Sequence, residues 1–504
     1  MEDLENQIGV SITESDGSTF VLRQVRDSFG HTHIIKSDPE PKRGGQGMVC
    51  FTEDDDFLIK LALDSMGHVI SKEKDPLEFK QIDDDIRNIT FKPFPDKLHL
   101  AYPVARLTEY SGYVMRLMGD MTDYEKLVPY SIEDISRMST DGGHRRRFEL
   151  LSKMAALLAK LHNSGFVYCD LSPRNALVTK DPELDTQNVW LIDADNIFMP
   201  GEDADKLVYT QRYAAPELLS KQSCSQASDC YSFATLAFES LAAIHPFKGD
   251  KTEENDDENA WDAESKPASA PPGIPPEYSG QVPWIEDVED DSNHTAAGLP
   301  RQNFLTDETF RLFNATFCEE GREKPSSRPT AVLWARAFAH SHAQSIRCAK
   351  EDCGMSFVYS DEQKKCPWCN RMLSPIFTLS RNGQVVFAHE AVYAPGRESE
   401  WFALSEFLFC PFALDTYFRP KLLARTVENA EGRGIEFKIQ KRPEETFSIF
   451  IQAGELPETE ITARYTLMFA EGAEYALRYA DAKKGLDRTY VIRVATPNGR
   501  ERKK

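Results

Sequence analysis

Between residues 147 and 195 the chain places polar, chemically capable side chains at the ends of strongly apolar segments. "RFELLSKMAALLAKLHN" (147–163) repeats its apolar residues with a helical period, and Gly165 follows as a stop signal. "FVYCD" and "NVWLIDAD" then read as two short strands. Asp170 closes the first, Asn175 follows it by five residues, and Asp193 closes the second. Each acid taken singly fits an N-cap or a turn. A carboxylate and an amide oxygen converging on one point are also hard oxygen donors, of the kind Mg²⁺ takes beside nucleotide phosphates.

Two features upstream belong to the same chemistry. "KRGGQGMVCF" (42–51) carries Gly44, Gly45 and Gly47 just before Val49. Residues without a Cβ let backbone N–H groups approach a phosphate closely, although glycine-rich turns are common on other grounds. Thirteen residues after Gly47, Lys60 interrupts the apolar strand "FLIKLAL". An ammonium there needs an anionic partner, unless it snorkels from a sheet edge. Glu78, on the helical stretch "PLEFKQIDDDIRNI", is the expected partner, with a phosphate as the other. Further on, "YAAPELL" holds Glu217, "SDCYSFATLAFESL" opens with Asp229, and "SSRPTA" holds Arg328.

The order and spacing of these pieces resemble the eukaryotic-like protein kinase superfamily over about residues 40–340. The resemblance implies an α+β, bilobal protein-kinase-like fold using ATP and Mg²⁺. Gly44, Gly47 and Val49 fall on the glycine-rich loop, with Lys42 where its first glycine stands. Lys60 falls on the lysine that grips the α- and β-phosphates, and Glu78 on its helix partner, with Glu73 nearby. Asp170 falls on the catalytic base, Asn175 and Asp193 on the metal ligands, and Met115 in "GYVMRLM" on the residue beside the adenine site. Glu217 would pair with Arg328, and Asp229 would tie down the catalytic loop. Asp170 would then orient a substrate hydroxyl and accept its proton.

The departures bear on regulation and rate. Tyr168-Cys169 replaces His-Arg, Ser172 replaces the lysine after the base, and Ala194-Asp195 replaces Phe-Gly. Arg174, four positions after the base, is expected to supply the missing lysine's charge, as in tyrosine kinases. The base, both metal ligands and the strand lysine are retained, which favours a serine/threonine protein kinase over a nucleotide-binding pseudokinase scaffold. Ala215-Pro216-Glu217 with Arg328 argues against a small-molecule phosphotransferase. Tyr209, Thr210 and Tyr213 are candidates for self-modification. "CDLSPRN" (169–175), "DAD" (193–195) and "PWIEDVEDDSNHTAAGLPR" (283–301) further resemble bacterial kinases of tellurite-resistance and stress operons. That resemblance implies a von Willebrand A-domain protein as phosphorylation partner and an opposing metal-dependent phosphatase.

The remaining sequence divides the chain. Residues 1–345 are read as the kinase-like domain, with one or two strands before the first glycines and an acidic insertion at about 250–300, solvated and partly disordered over 250–280. "CAKEDCGMSFVYSDEQKKCPWC" sets Cys348, Cys353, Cys366 and Cys369 in two close pairs, the spacing of a zinc ribbon over 346–374. Four thiolates leave no open position, so the Zn²⁺ is expected to be structural, in a rigid link or docking knuckle. Residues 375–504 alternate in short runs, predicting an antiparallel β module, sandwich-like and Ig-like. The net charge of −22 speaks against nucleic acid as a partner. No run reaches the 18 or so apolar residues of a membrane span, no secretory signal is visible, and the scattered remaining cysteines fit a reducing cytoplasm.

Overall fold

A computed structural model describes residues 8–44, 47–184, 187–199, 208–220, 222–252, 274–393, 399–404, 408–409, 421–470 and 474–495. The chain begins with two hairpins, β1 (Val10–Thr13) with β2 (Thr19–Leu22) and β3 (Gln24–Arg26) with β4 (Thr32–Ile34). These are four strands where the sequence predicts one or two. They cover a five-stranded antiparallel sheet of β5 (Lys42–Arg43), β6 (Gly47–Phe51), β7 (Phe57–Ala62), β8 (Ala105–Arg106) and β9 (Gly112–Arg116), ordered β5-β6-β7-β9-β8.

The two-residue period of a strand gives this sheet two different faces. Met48, Cys50, Ile59, Leu61 and Val114 form one core cluster with Val10, Ile12, Leu22, Val25 and Ile35 of the hairpins. On the opposite face Val49, Lys60 and Tyr113 stand across from one another in register, with Leu58 and Met115 as the next pair. The hairpins cover the first face, so the face bearing Lys60 is left to meet the rest of the chain. The helix Pro76–Thr90 buries Phe79, Ile86 and Ile89 and packs on β8, β9 and the turn Ala194–Asn196.

The second half of the kinase-like region is helical. The helix Gly143–Asn163 is buried along most of its length, as its apolar period predicts. The helix Gln226–Ala242 is capped by a reciprocal Ser225–Ser228 pair, and Asp307–Phe317 by Thr306–Thr309. With Ala331–Gln344 they enclose one hydrophobic core, in which the Phe313 and Trp334 rings lie 4.8 Å apart. On this core sits a small sheet of β10 (Met121–Asp123), β11 (Ala176–Thr179) and β12 (Val189–Leu191). Ala176 pairs with Leu191, so the segment entering β11 and the segment leaving β12 share one end of the sheet.

The acidic insertion falls into two parts. Its stretch 253–273 lies outside the described residues. Within the described residues 274–300, the acids at 289–291 are exposed, whereas Trp284 is 0% exposed and joins Val282, Ile285 and Leu299 in the main core. Asn293, also buried, donates to the carbonyls of Phe247 and Pro283 at 3.0 and 2.7 Å and so stitches the acidic stretch to the helical half.

The cysteine segment is likewise more than a link. Ile346, Cys348, Cys353, Met355, Phe357 and Cys366 belong to the same core as the helices. Ser356 Oγ accepts from Arg145 N–H at 2.7 Å, and the Arg145 guanidinium donates to the carbonyls of His342 and Ser345 at 2.9 and 2.8 Å. Beyond it lie a six-stranded and a four-stranded sheet, every described pairing antiparallel. Their inward residues, among them Phe377, Leu379, Leu422, Ile435, Phe437, Ile451, Leu477 and Ile492, form one separate core.

Candidate active site

The β11–β12 pairing assembles the first half of the site. Ile192 N–H donates to Asn175 O at 3.0 Å, joining the Asp170–Asn175 segment to the residue before Asp193. Asn175 Nδ2 donates to the backbone oxygen of Asp170 at 2.8 Å and to its Oδ2 at 2.9 Å, leaving the Asn175 amide oxygen out of that contact. Burial, and secondarily the charge of Asp193, push the Asp170 carboxyl above the ordinary aspartate range, against the opposing bonds from Thr210 and Asn175.

Two non-glycine residues here lie in the left-handed region, Cys169 at φ 71° and Asp193 at φ 61°. Such backbone costs about 1–2 kcal/mol per residue and persists where its surroundings fix it. Asp229, fully buried at the start of its helix, accepts from Tyr168 N–H and Cys169 N–H, both at 2.8 Å, and lies 2.9 Å from His162 Nε2. That is the tie the sequence predicts for Asp229. Tyr168 supplies a second tie, which sequence reasoning missed: its buried hydroxyl donates to the carbonyls of Ile192 and Asn175. Its only signal was its place two residues before Asp170.

The second half of the site comes from the β5–β9 sheet. Gly44 N–H donates to Gly47 O at 2.9 Å, closing the turn between β5 and β6, and Gly45 lies outside the described residues. A Cβ on Gly47 would lie 3.1 Å from both Leu61 O and Lys60 Cε, so the backbone comes close to the lysine there. Lys60 Nζ donates to Asp193 Oδ1 and to Asp195 Oδ2, the latter at 2.6 Å. Burial pulls the Lys60 pKa down, but the neighbouring Tyr113, Asp195 and Asp193 outweigh it and hold it well above the usual lysine value.

Two expected placements are corrected. Glu78 is exposed on the first turn of its helix and is not the partner of Lys60. The inward positions of that helix are Phe79, Ile86 and Ile89, and the half-buried Asp83 bonds Arg106 instead, at 2.5 Å. Arg174 is turned away from Asp170: its Nε donates to Glu125 at 2.7 Å and its side chain is 78% exposed. Val49 and Met115 share the face of Lys60, as expected of cleft-lining residues.

Thr210 closes over the acid, its N–H and its hydroxyl both donating to Asp170 Oδ1 at 2.8 Å. Asp170 can therefore receive a hydroxyl donor at hydrogen-bond distance. Arg328 holds Glu217 through two parallel bonds of 2.7 and 2.9 Å, and Ser228 donates to the same carboxylate at 2.7 Å. The buried Glu239 accepts from Arg212 and from the Tyr213 hydroxyl, so the segment after Thr210 is anchored to the long central helix.

The four cysteine sulfurs all lie within 4.8 Å of one another, with Cys348–Cys369 and Cys353–Cys366 each at 3.8 Å. A disulfide needs about 2.05 Å, so these are not bonded pairs. Thiolates about 2.3 Å from a tetrahedral Zn²⁺ stand about 3.8 Å apart, so the cluster fits that ion.

Residues 127–332 match the family model of the protein kinase domain. The chain is 26% identical over 257 residues to ribosomal protein S6 kinase alpha-2 of Mus musculus, covering 49% of this chain and 30% of that protein. It is 33% identical over 94 residues to serine/threonine-protein kinase 17A of Oryctolagus cuniculus, covering 19% of this chain and 24% of the relative. The chain thus spans less than a third of the length of either. The family match begins after β9, so Lys60 and the glycine turn are joined to the matched region by geometry. Residues 127–332 of this chain are thus similar to the protein kinase domain, and both relatives are kinases by name, one of them a serine/threonine-protein kinase.

Proposed function

We propose that the chain is a protein kinase that transfers the γ-phosphoryl group of ATP to serine or threonine hydroxyls of a partner protein. The observation that carries this reading is the Thr210 hydroxyl on Asp170, with Lys60 reaching Asp193 from the facing sheet. Asp170 acts as the base, its carboxyl raised above the ordinary aspartate range chiefly by burial. Asn175 and Asp193 offer the oxygens that would hold Mg²⁺, and Lys60 with the N–H groups of the glycine turn would hold the phosphates. Bound Mg-ATP supplies the transferable phosphoryl group and neutralises its charge. The chain's own share is positioning: Asp229 and Tyr168 fix the loop so that Asp170 needs little reorganisation.

Incubating the full chain with Mg-ATP and a general protein substrate, with phosphate read by mass spectrometry on serine and threonine, tests this reading. Transfer by the wild type supports it, and its absence refutes it. A nucleotide-binding scaffold is the second reading, favoured by the outward turn of Arg174 and by Ser172 in the place of a lysine.

The finer assignments rest on the sequence resemblance. They are a bacterial stress or tellurite-resistance system, a cytoplasmic location, an A-domain protein as substrate and a metal-dependent phosphatase as its opponent. Phosphoproteomics of the A-domain protein with and without this kinase tests them. The four thiolates would hold one structural Zn²⁺. The two C-terminal sheets are read as a sandwich that holds the partner. Domain limits near 345 and 375 are supported by the end of the last kinase-region helix at Gln344 and the first strand of the six-stranded sheet at Ile376.

A further inference from the structure

We propose that Asp195 is the positioning carboxylate for Lys60, taking the place that the resemblance gives to a helix glutamate. The inference rests on the phosphotransfer reading above. Three observations converge on it.

Asp195 Oδ2 accepts from Lys60 Nζ at 2.6 Å, and the Tyr113 hydroxyl donates to its two oxygens at 3.2 and 3.3 Å. Tyr113 stands directly opposite Lys60 in the β7–β9 register, so one sheet pairing fixes both groups that hold Asp195. The helix that packs on this turn offers no substitute: Glu78 is exposed, Asp83 is bonded to Arg106, and the inward positions are apolar.

The third observation concerns competing demands on Asp193. It is bonded to Lys60 and is also the aspartate that would serve a divalent cation. A carboxylate that turns to a cation gives up part of its hold on an ammonium. Asp195, two residues on across the buried Ala194, can keep Lys60 in place while Asp193 serves the cation. Both acids sit on one short turn, so bringing the sheet onto that turn assembles the lysine and its partner together. Pairing Lys60 then requires no rotation of the Pro76–Thr90 helix.

Calorimetric titration of the full chain with ADP, with and without Mg²⁺, tests the inference without relying on turnover. Asp195→Asn is expected to weaken ADP binding at least tenfold under both conditions, with its melting temperature within a few degrees of wild type. Asp195→Glu should recover part of the loss, and Glu78→Gln should stay within twofold of wild type. Tyr113→Phe should weaken binding less than Asp195→Asn, and the double variant Y113F/D195N should be no worse than D195N alone. The inference is overturned if D195N stays within twofold, or if E78Q is as damaging. A loss confined to Mg²⁺ would make Asp195 a cation ligand instead and would also overturn it. A wild type that binds ADP but transfers no phosphate would end the phosphotransfer reading while this series still reports on Asp195. A wild type that binds no ADP overturns both.

Discussion

The two halves of the cleft are built in different ways. Asp170, Asn175 and Asp193 hang from a buried framework, with Asp229 and Tyr168 holding the loop from behind and the β11–β12 pairing holding it from the side. Lys60 has Tyr113 beside it in its own sheet, but its carboxylate partners both come from the facing half. A preformed loop reduces reorganisation during reaction, whereas a lysine held across the cleft ties phosphate binding to the approach of the two halves. The helical half is also continuous with the cysteine segment, while the β1–β9 half has its own core.

Removing the proposed Zn²⁺ should separate these regions most strongly. Structural Zn²⁺ sites carry apparent binding energies of about 10–16 kcal/mol in small peptides. Chelation or Cys353→Ser is expected to strip hydrogen-exchange protection from the Gly143–Asn163 helix while sparing β6, β7 and β9. Equal loss in both halves would erase the distinction. Next in size is Asp229→Ala, which leaves two buried N–H groups without an acceptor. It should lower unfolding free energy by about 3–5 kcal/mol in denaturant titration and abolish transfer. Arg328→Ala leaves Glu217 buried with Ser228 as its remaining side-chain donor and should cost about 3 kcal/mol, with Arg328→Lys milder.

Acid should act on the helical half. His144, buried between Ser356 O and Leu241 O, is pushed down to about 4, chiefly by burial. Between that value and about 6.5 the unfolded chain binds a proton that the folded chain refuses, so stability rises with pH across this window. The share of His144, about 3 kcal/mol, should be lost on acidification to pH 4 and be missing from the loss in His144→Gln, as read by denaturation midpoints. The smallest effect concerns the base itself. The acid limb of transfer should lie above the ordinary aspartate range, and Thr210→Val, which removes a bond to ionised Asp170, should move it higher.

The parts of the site legible in the sequence are those set by local connection. The Asp170–Asn175 spacing, Asp193 after an apolar run and Asp229 at a helix start each mark a turn or cap whose place in the fold follows from its neighbours. The Lys60 partner was not legible, because it depends on how two halves face each other across a sequence separation of 133. Glu78 had the right sequence spacing and the wrong helix face. The run of acids at 286–291 gives no hint that Trp284 and Ile285, just before it, are buried in the core with Val282 and Leu299. The antiparallel C-terminal strands were legible from their alternation, except that the runs opening at Ile376 and Leu422 were missed, while the sharing of one core by two sheets needs contacts that no single strand records.

On the proposed function, Asp170 does chemistry at a site whose binding parts stand without it. Asp170→Ala, compared with wild type for both nucleotide affinity and phosphate transfer, tests this directly. The account predicts ADP affinity within about twofold of wild type and transfer reduced by about 10²–10⁴-fold. Transfer equal to wild type would contradict it.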